Sequence, residues 1–243
     1  MTNVKLLALD MDGTTLTTSH LVDEETKQAI KQAKDAGIEI VISTGRSFQN
    51  VKKYAEELEL TNFLIASNGG EIWQLDGTLV ERTILPTEHV ETFLALASKH
   101  NVRFWAAAVD KVWRHEAPED IYQSEWLKFG YDLDTVDERK LLLKELESVE
   151  GLELTNSSLV NIEINAAGVH KAAALKTICE KLSISMENVL AIGDSLNDVA
   201  MIKEAGIGIA MGNAQDSVKE IADDVTTSND EQGVANAIKK YVL

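Results

Sequence analysis

Positive charge is scarce in this chain: 23 lysines and arginines stand against 40 aspartates and glutamates, a formal net charge of −17. Nucleic acid and anionic membranes both need a basic face, so the balance counts against either as a partner. Cysteine is scarcer still. Cys179 is the single thiol, so no internal disulfide can form, and its helical-looking surroundings read as small apolar packing. No run of about 18 apolar residues occurs, so no membrane span is expected. The N-terminus has no basic segment leading into an apolar stretch of the secretory kind, which makes the cytoplasm the expected location. What remains, 243 residues with 44% hydrophobic and 26% charged residues, suits a globular protein with one main domain and a smaller second one. A monomer is the default.

The first 85 residues alternate between two patterns. Val4–Leu9 is a short apolar run suited to a buried strand. A helical spacing follows from Asp23 to Ala36, with Gly37 as its stop. Strands are expected at Ile38–Ser43 and Asn62–Ser67, with a helix over Ser47–Leu58 between them, and Asp76-Gly77 marks a hairpin. The last third repeats this grammar, ending in a helix over Gly233–Tyr241. Strand–helix alternation predicts an α/β fold: a Rossmann-like, doubly wound parallel sheet, with ligands at the carboxyl ends of its strands.

The middle differs. Residues 86–165 hold eight of the 13 aromatic residues. Their pattern predicts a helix over Thr87–Lys99, strands at Val102–Ala107 and Val112–His115, helical stretches, then strands at Leu152–Leu154 and Leu159–Ile164. This reads as an α+β domain at 86–165, inserted into a discontinuous core of 1–85 and 166–243.

Four chemical pieces fall at predicted strand ends of the core: Asp10-Met11-Asp12-Gly13-Thr14, Ser43-Thr44-Gly45-Arg46, Lys171, and Gly193-Asp194-Ser195-Leu196-Asn197-Asp198. Carboxylates converging there would repel without a cation, and Mg²⁺ favours such oxygen donors together with a substrate phosphate. Two carboxylates at i and i+2 can divide labour. Asp10 can attack phosphorus, and Asp12 can give a proton to the leaving oxygen and take one from water. Gly13 frees the backbone to turn, Thr44 offers a hydroxyl beside the Gly45 N–H, and Lys171 brings a point charge.

These pieces resemble the haloacid dehalogenase-like superfamily of phosphohydrolases. "STGR", "SNGG", "GVHKAAAL", "GDSLNDVAMI", "AMGNA" and "ADDVTTSNDEQGVANAI" narrow the likeness to the Cof-type sugar-phosphatase branch. The resemblance implies that Asp10 is nucleophile and Mg²⁺ ligand. Asp12 is implied as general acid/base, coordinating through its carbonyl, and Asp194 as a further ligand with Ser195 nearby. Thr44, Gly45, Lys171, Asn197 and the Met11 amide would hold phosphate, and Asp198 would orient Lys171 or a metal water. The insert is implied to be an α/β cap over the site.

The expected function is a Mg²⁺-dependent phosphatase for a small phosphorylated metabolite. The alternatives are a phosphosugar mutase, whose helical cap would come just after the first motif, and a non-catalytic sensor, which would not need both Asp10 and Asp12. Lys171 is preferred over Lys176, and Thr44 over Ser43. Asn68 reads either as a turn residue or as a group facing substrate. Asn213 reads as a loop-shaping residue. In the insert, Arg103, Lys111, Arg114 and His115 are candidates for reading the leaving group, while Trp105, Trp113 and Tyr122 are lining candidates. His20, His89, His100 and His170 have no partner pattern and are assigned no role.

Overall fold

The structure is a computed structural model that describes residues 3–243. The chain divides into two compact units, one running through Glu81 and resuming at Lys171, the other spanning Arg82–His170.

The first unit opens with β1 (Leu6–Leu9), α1 (Glu24–Asp35), β2 (Glu39–Ser43), α2 (Phe48–Glu57), β3 (Phe63–Ala66), β4 (Glu71–Gln74) and β5 (Leu79–Arg82). Local chemistry sets these boundaries. The Asp23 side chain caps α1 by accepting from the Thr26 N–H at 2.9 Å, and Gly37, at φ +83°, lets the chain turn out of the helix. Thr26, Ala29, Ile30 and Ala33 of α1 are buried at helical spacing.

The second unit holds α3 (Thr87–His100), β6 (Arg103–Ala108), β7 (Val112–Arg114), β8 (Trp126–Asp132), α4 (Val136–Leu146), β9 (Leu152–Thr155) and β10 (Asn161–Ala166). The chain then returns to the first unit with α5 (Lys171–Leu182), β11 (Val189–Gly193), α6 (Val199–Glu204), β12 (Ile207–Ala210), α7 (Asp216–Lys219), β13 (Asp224–Val225) and α8 (Gly233–Tyr241).

The eight strands of the first unit form one sheet in the order β13-β12-β11-β1-β2-β3-β4-β5. The strands from β13 to β3 are parallel, and β4 runs antiparallel to β3. Both faces are covered, which explains the unbroken apolar strands. Leu7 and Leu9 pack with residues of α1, α2 and α8, whereas Leu6 and Ala8 pack with Ala172, Leu175 and Ile178 of α5. The strand order reverses between β1 and β11, the position in an open α/β sheet where a crevice forms beyond the strand ends.

The second unit is a five-stranded sheet, β7-β6-β8-β10-β9. Phe129 and Tyr131 of β8 pack with Phe93, Leu142, Ile162 and Ile164 on one face. Its central strand corrects the sequence reading, which put helical stretches there. In "WLKFGYD" Phe129 and Tyr131 alternate with Lys128 and Gly130, a period of two that a strand satisfies. The last strand also begins two residues later than predicted, because Leu159 and Val160 are exposed.

Candidate active site

Asp10 and Asp194 follow the two adjacent central strands, β1 and β11, and so meet at the reversal point. Asp10 is buried; its N–H donates to the Ile192 carbonyl at 3.0 Å, and its carbonyl accepts from the Thr15 hydroxyl at 2.6 Å. Its Oδ1 accepts from Lys171 Nζ at 2.5 Å. The same ammonium donates to Asp198 Oδ1 at 2.6 Å, leaving one of its three protons for another acceptor. Asp198 Oδ2 accepts from the N–H groups of Asp194 and Ser195 at 3.0 and 3.1 Å. Gly193 makes this fold-back possible, since a Cβ there would lie 2.4 Å from Asp198 Cγ.

Asp194 accepts from the Thr14 hydroxyl at 3.2 Å and from the Ser195 hydroxyl at 3.0 Å. Carboxylate oxygens of Asp10, Asp194 and Asp198 lie within 4.8 Å of one another. One lysine cannot neutralise three carboxylates. Burial, then the charge of Asp198, pushes Asp10 well above the usual carboxylate range despite Lys171. The same two causes push Asp194 up to about 6. Burial draws the Lys171 ammonium down, but Asp10 and Asp198 outweigh it and hold it above the usual lysine range. A hard, oxygen-preferring dication fits this donor set and removes the excess negative charge. Asp198 is the least suited to bind it, because both its oxygens already accept hydrogen bonds.

Of the remaining predicted residues, Thr44 and Ser43 are both buried. The Thr44 Oγ1 accepts from the Arg46 N–H at 3.2 Å, and Ser43 Oγ has no partner among the described residues. No described group accepts from the Met11 or Gly45 N–H, whereas the Thr44 N–H is taken by the Ile65 carbonyl at 2.9 Å. Asn197 donates to Asn68 Oδ1 at 3.3 Å, and Asn68 is itself in the left-handed region at φ +60°. Asn213 donates to the Gly13 carbonyl at 2.8 Å and accepts from the Asn229 N–H at 2.9 Å, joining two loops. Lys176 pairs with Glu204 instead.

In the second unit, Arg103 pairs with Asp134 at 2.7 Å. Arg114 stands opposite Trp105, and the N–H of His115 donates to the Phe104 carbonyl at 2.9 Å.

One residue of the "STGR" piece has no role of its own in the sequence reading. Arg46 grips the Asp12 carboxylate with both arms, Nε to Oδ2 at 2.7 Å and Nη2 to Oδ1 at 2.5 Å. His20, assigned no role, stands with Nδ1 at 3.8 Å from Asp12 Oδ1. The "STGR" motif contains the arginine, but the pair spans 34 positions and forms only once β1 and β2 lie side by side.

A family model described as haloacid dehalogenase-like hydrolase matches residues 7–140 and 115–238. The chain belongs to the haloacid dehalogenase-like hydrolases. It is 54% identical to the 5-amino-6-(5-phospho-D-ribitylamino)uracil phosphatase YcsE of Bacillus subtilis, over 99% of this chain and 97% of that one. It is 32% identical to a phosphoglycolate phosphatase of Methanobrevibacter smithii, over 99% and 100% of the two chains. A solved haloacid dehalogenase-like hydrolase from B. subtilis superposes with a TM-score of 0.89 at 28% identity, covering 99% of this chain and all of that one. This member of the family is a phosphatase. No helix among its described residues is long and apolar enough to cross a membrane.

Proposed function

We propose that this phosphatase works through an aspartyl-phosphate on Asp10 and that its substrate is 5-amino-6-(5-phospho-D-ribitylamino)uracil or a closely similar polyol 5-phosphate. The bridge from Asp10 through Lys171 to Asp198, at 2.5 and 2.6 Å, carries the mechanism. Lys171 holds Asp10 by one oxygen, and Oδ2 accepts no hydrogen bond from any described residue, so an oxygen is free to attack. Asp12 protonates the departing alkoxide, then takes a proton from the water that hydrolyses the aspartyl-phosphate. Lys171, the Thr44 hydroxyl, the Met11 and Gly45 amides and Asn197 hold the phosphoryl oxygens. Asp198 keeps Lys171 in place. Asp10, Asp194 and the Asp12 carbonyl, with Ser195 nearby, would hold Mg²⁺, which when bound supplies charge neutralisation at the phosphoryl group.

The likeness to YcsE, at 54% identity over nearly the whole of both chains, supports the substrate reading. In our reading the insert, 86–165, is a cap. Asn68 in the core and Arg114 and His115 in the cap read the leaving group, and Arg103 can join them because its exposed pair with Asp134 costs little to open. The enzyme works in the cytoplasm, as a monomer.

Phosphate release from the ribityl-uracil phosphate and from a panel of sugar phosphates tests the reading. We expect preference for the former, loss on EDTA treatment and recovery with Mg²⁺. Asp10→Asn should reduce turnover to background while the protein stays folded; retained hydrolysis would falsify the nucleophile assignment.

A further inference from the structure

Asp12 poses a problem that its assigned role does not solve. Its side chain is 47% exposed and sits on a loop, where a carboxylate samples several rotamers. A proton carrier has to be held in one geometry, because small misplacements cost large factors in rate. We infer that Arg46 is the positioning residue for Asp12, and that its hold serves chiefly the second half-reaction, hydrolysis of the aspartyl-phosphate. The inference rests on the reading of Asp10 and Asp12 given above.

The geometry supports both parts. Two hydrogen bonds, at 2.7 and 2.5 Å, fix the plane of the carboxylate as well as its place, which a single contact cannot do. Arg46 is itself held: its side chain is 24% exposed and its guanidinium lies over the Tyr54 ring at 5.4 Å. Nη1 donates to the Tyr54 hydroxyl at 3.5 Å, which donates in turn to the His20 carbonyl at 3.3 Å. The chain from His20 through Tyr54 to Arg46 therefore ends on Asp12.

The preference for one half-reaction comes from the donor inventory. A guanidinium offers only donors, so the two-armed grip needs two acceptor oxygens, and Asp12 carrying a proton cannot supply both on the same side. The gripped form is the proton acceptor. In hydrolysis, a water oxygen bonds to phosphorus as its proton passes to Asp12. The bond from phosphorus to the Asp10 oxygen breaks, its electron pair returns to the Asp10 carboxylate, and inorganic phosphate leaves. In the first half-reaction Asp12 is the donor and has left the grip.

Rapid mixing of the Mg²⁺-loaded full chain with p-nitrophenyl phosphate separates the steps, because p-nitrophenolate departs without needing a proton. In Arg46→Met we expect a burst approaching one p-nitrophenolate per active site, followed by a steady rate at least about tenfold below wild type. Arg46→Lys, which keeps the charge without the two-armed geometry, should fall between. A slowed reaction without a burst, or an unchanged one, overturns the inference. If Arg46→Met melts early, Arg46→Lys decides by the same readout. Should Asp10→Asn still turn over, the underlying mechanism has failed instead of this one.

Discussion

Gly13 stands at φ +79°, and a methyl group there would meet Asp194 Oδ2 at 2.7 Å. The position thus has a backbone reason and a site reason to be glycine. Gly13→Ala should destabilise the protein by more than about 1 kcal/mol, because both the left-handed conformation and the contact resist a side chain. It should also raise the Mg²⁺ concentration for half-maximal activity roughly tenfold, since the displaced carboxylate would hold the ion. Denaturant melts and a metal titration of phosphatase activity read the two effects separately. At this scale the sequence is most legible. Asp10, Lys171 and Asp194, singled out by residue type and position, do come together in one cluster. The partner of Arg46 was not legible, because a half-buried arginine has no local pattern that names a residue 34 positions away.

Among the elements, the short strand β13 is fastened by one side-chain cluster. Asp224 accepts from Lys240 Nζ at 2.5 Å and from the Tyr241 hydroxyl at 2.6 Å, both at the end of α8. Lys240 first, then Tyr241, holds the Asp224 carboxyl down at about 2. A depressed folded-state pKa contributes stability above the ordinary carboxylate range, and that contribution is lost as pH falls toward 2. Asp224→Asn should therefore melt slightly lower than wild type at pH 7, by under about 1 kcal/mol for so exposed a cluster. The gap should close near pH 2, and thermal melts across that range check it. The helix boundaries were readable from caps and stops, and Gly233–Tyr241 falls as expected. The strand β8 was not, because its alternation is obscured by the apolar pair Trp126-Leu127 and reveals itself only against the strands on either side.

For the whole molecule, the excess of negative charge matters most where it is buried. Asp194 is raised to about 6, so the metal-free fold retains a proton that the unfolded chain has released. That stabilising contribution is full below about 4 and is lost as pH rises through 6. Mg²⁺ should therefore raise the melting temperature more at pH 8 than at pH 5, as calorimetry with and without the ion would show; an equal shift at both would contradict it. The α/β class of the core was legible from the strand–helix alternation, and the pairing of β4 with β5 from the turn at Asp76-Gly77. The substrate was not, because the motifs describe the phosphate and the leaving group has no motif.

The sheet reversal between β1 and β11 also has a consequence for biosynthesis. β1 leaves the ribosome well before its neighbour on one side, Val189 pairing with Leu6, which is made after the entire insert. At about 5–20 residues per second, the apolar edge of Leu6–Leu9 waits on the order of 10–40 s for its partner. A sheet of β1 to β5 without β11 would leave β1 as an open edge, the kind of edge other chains can join. Until β11 is made, the strand that leads into Asp10 lacks the neighbour that brings Asp194 beside it.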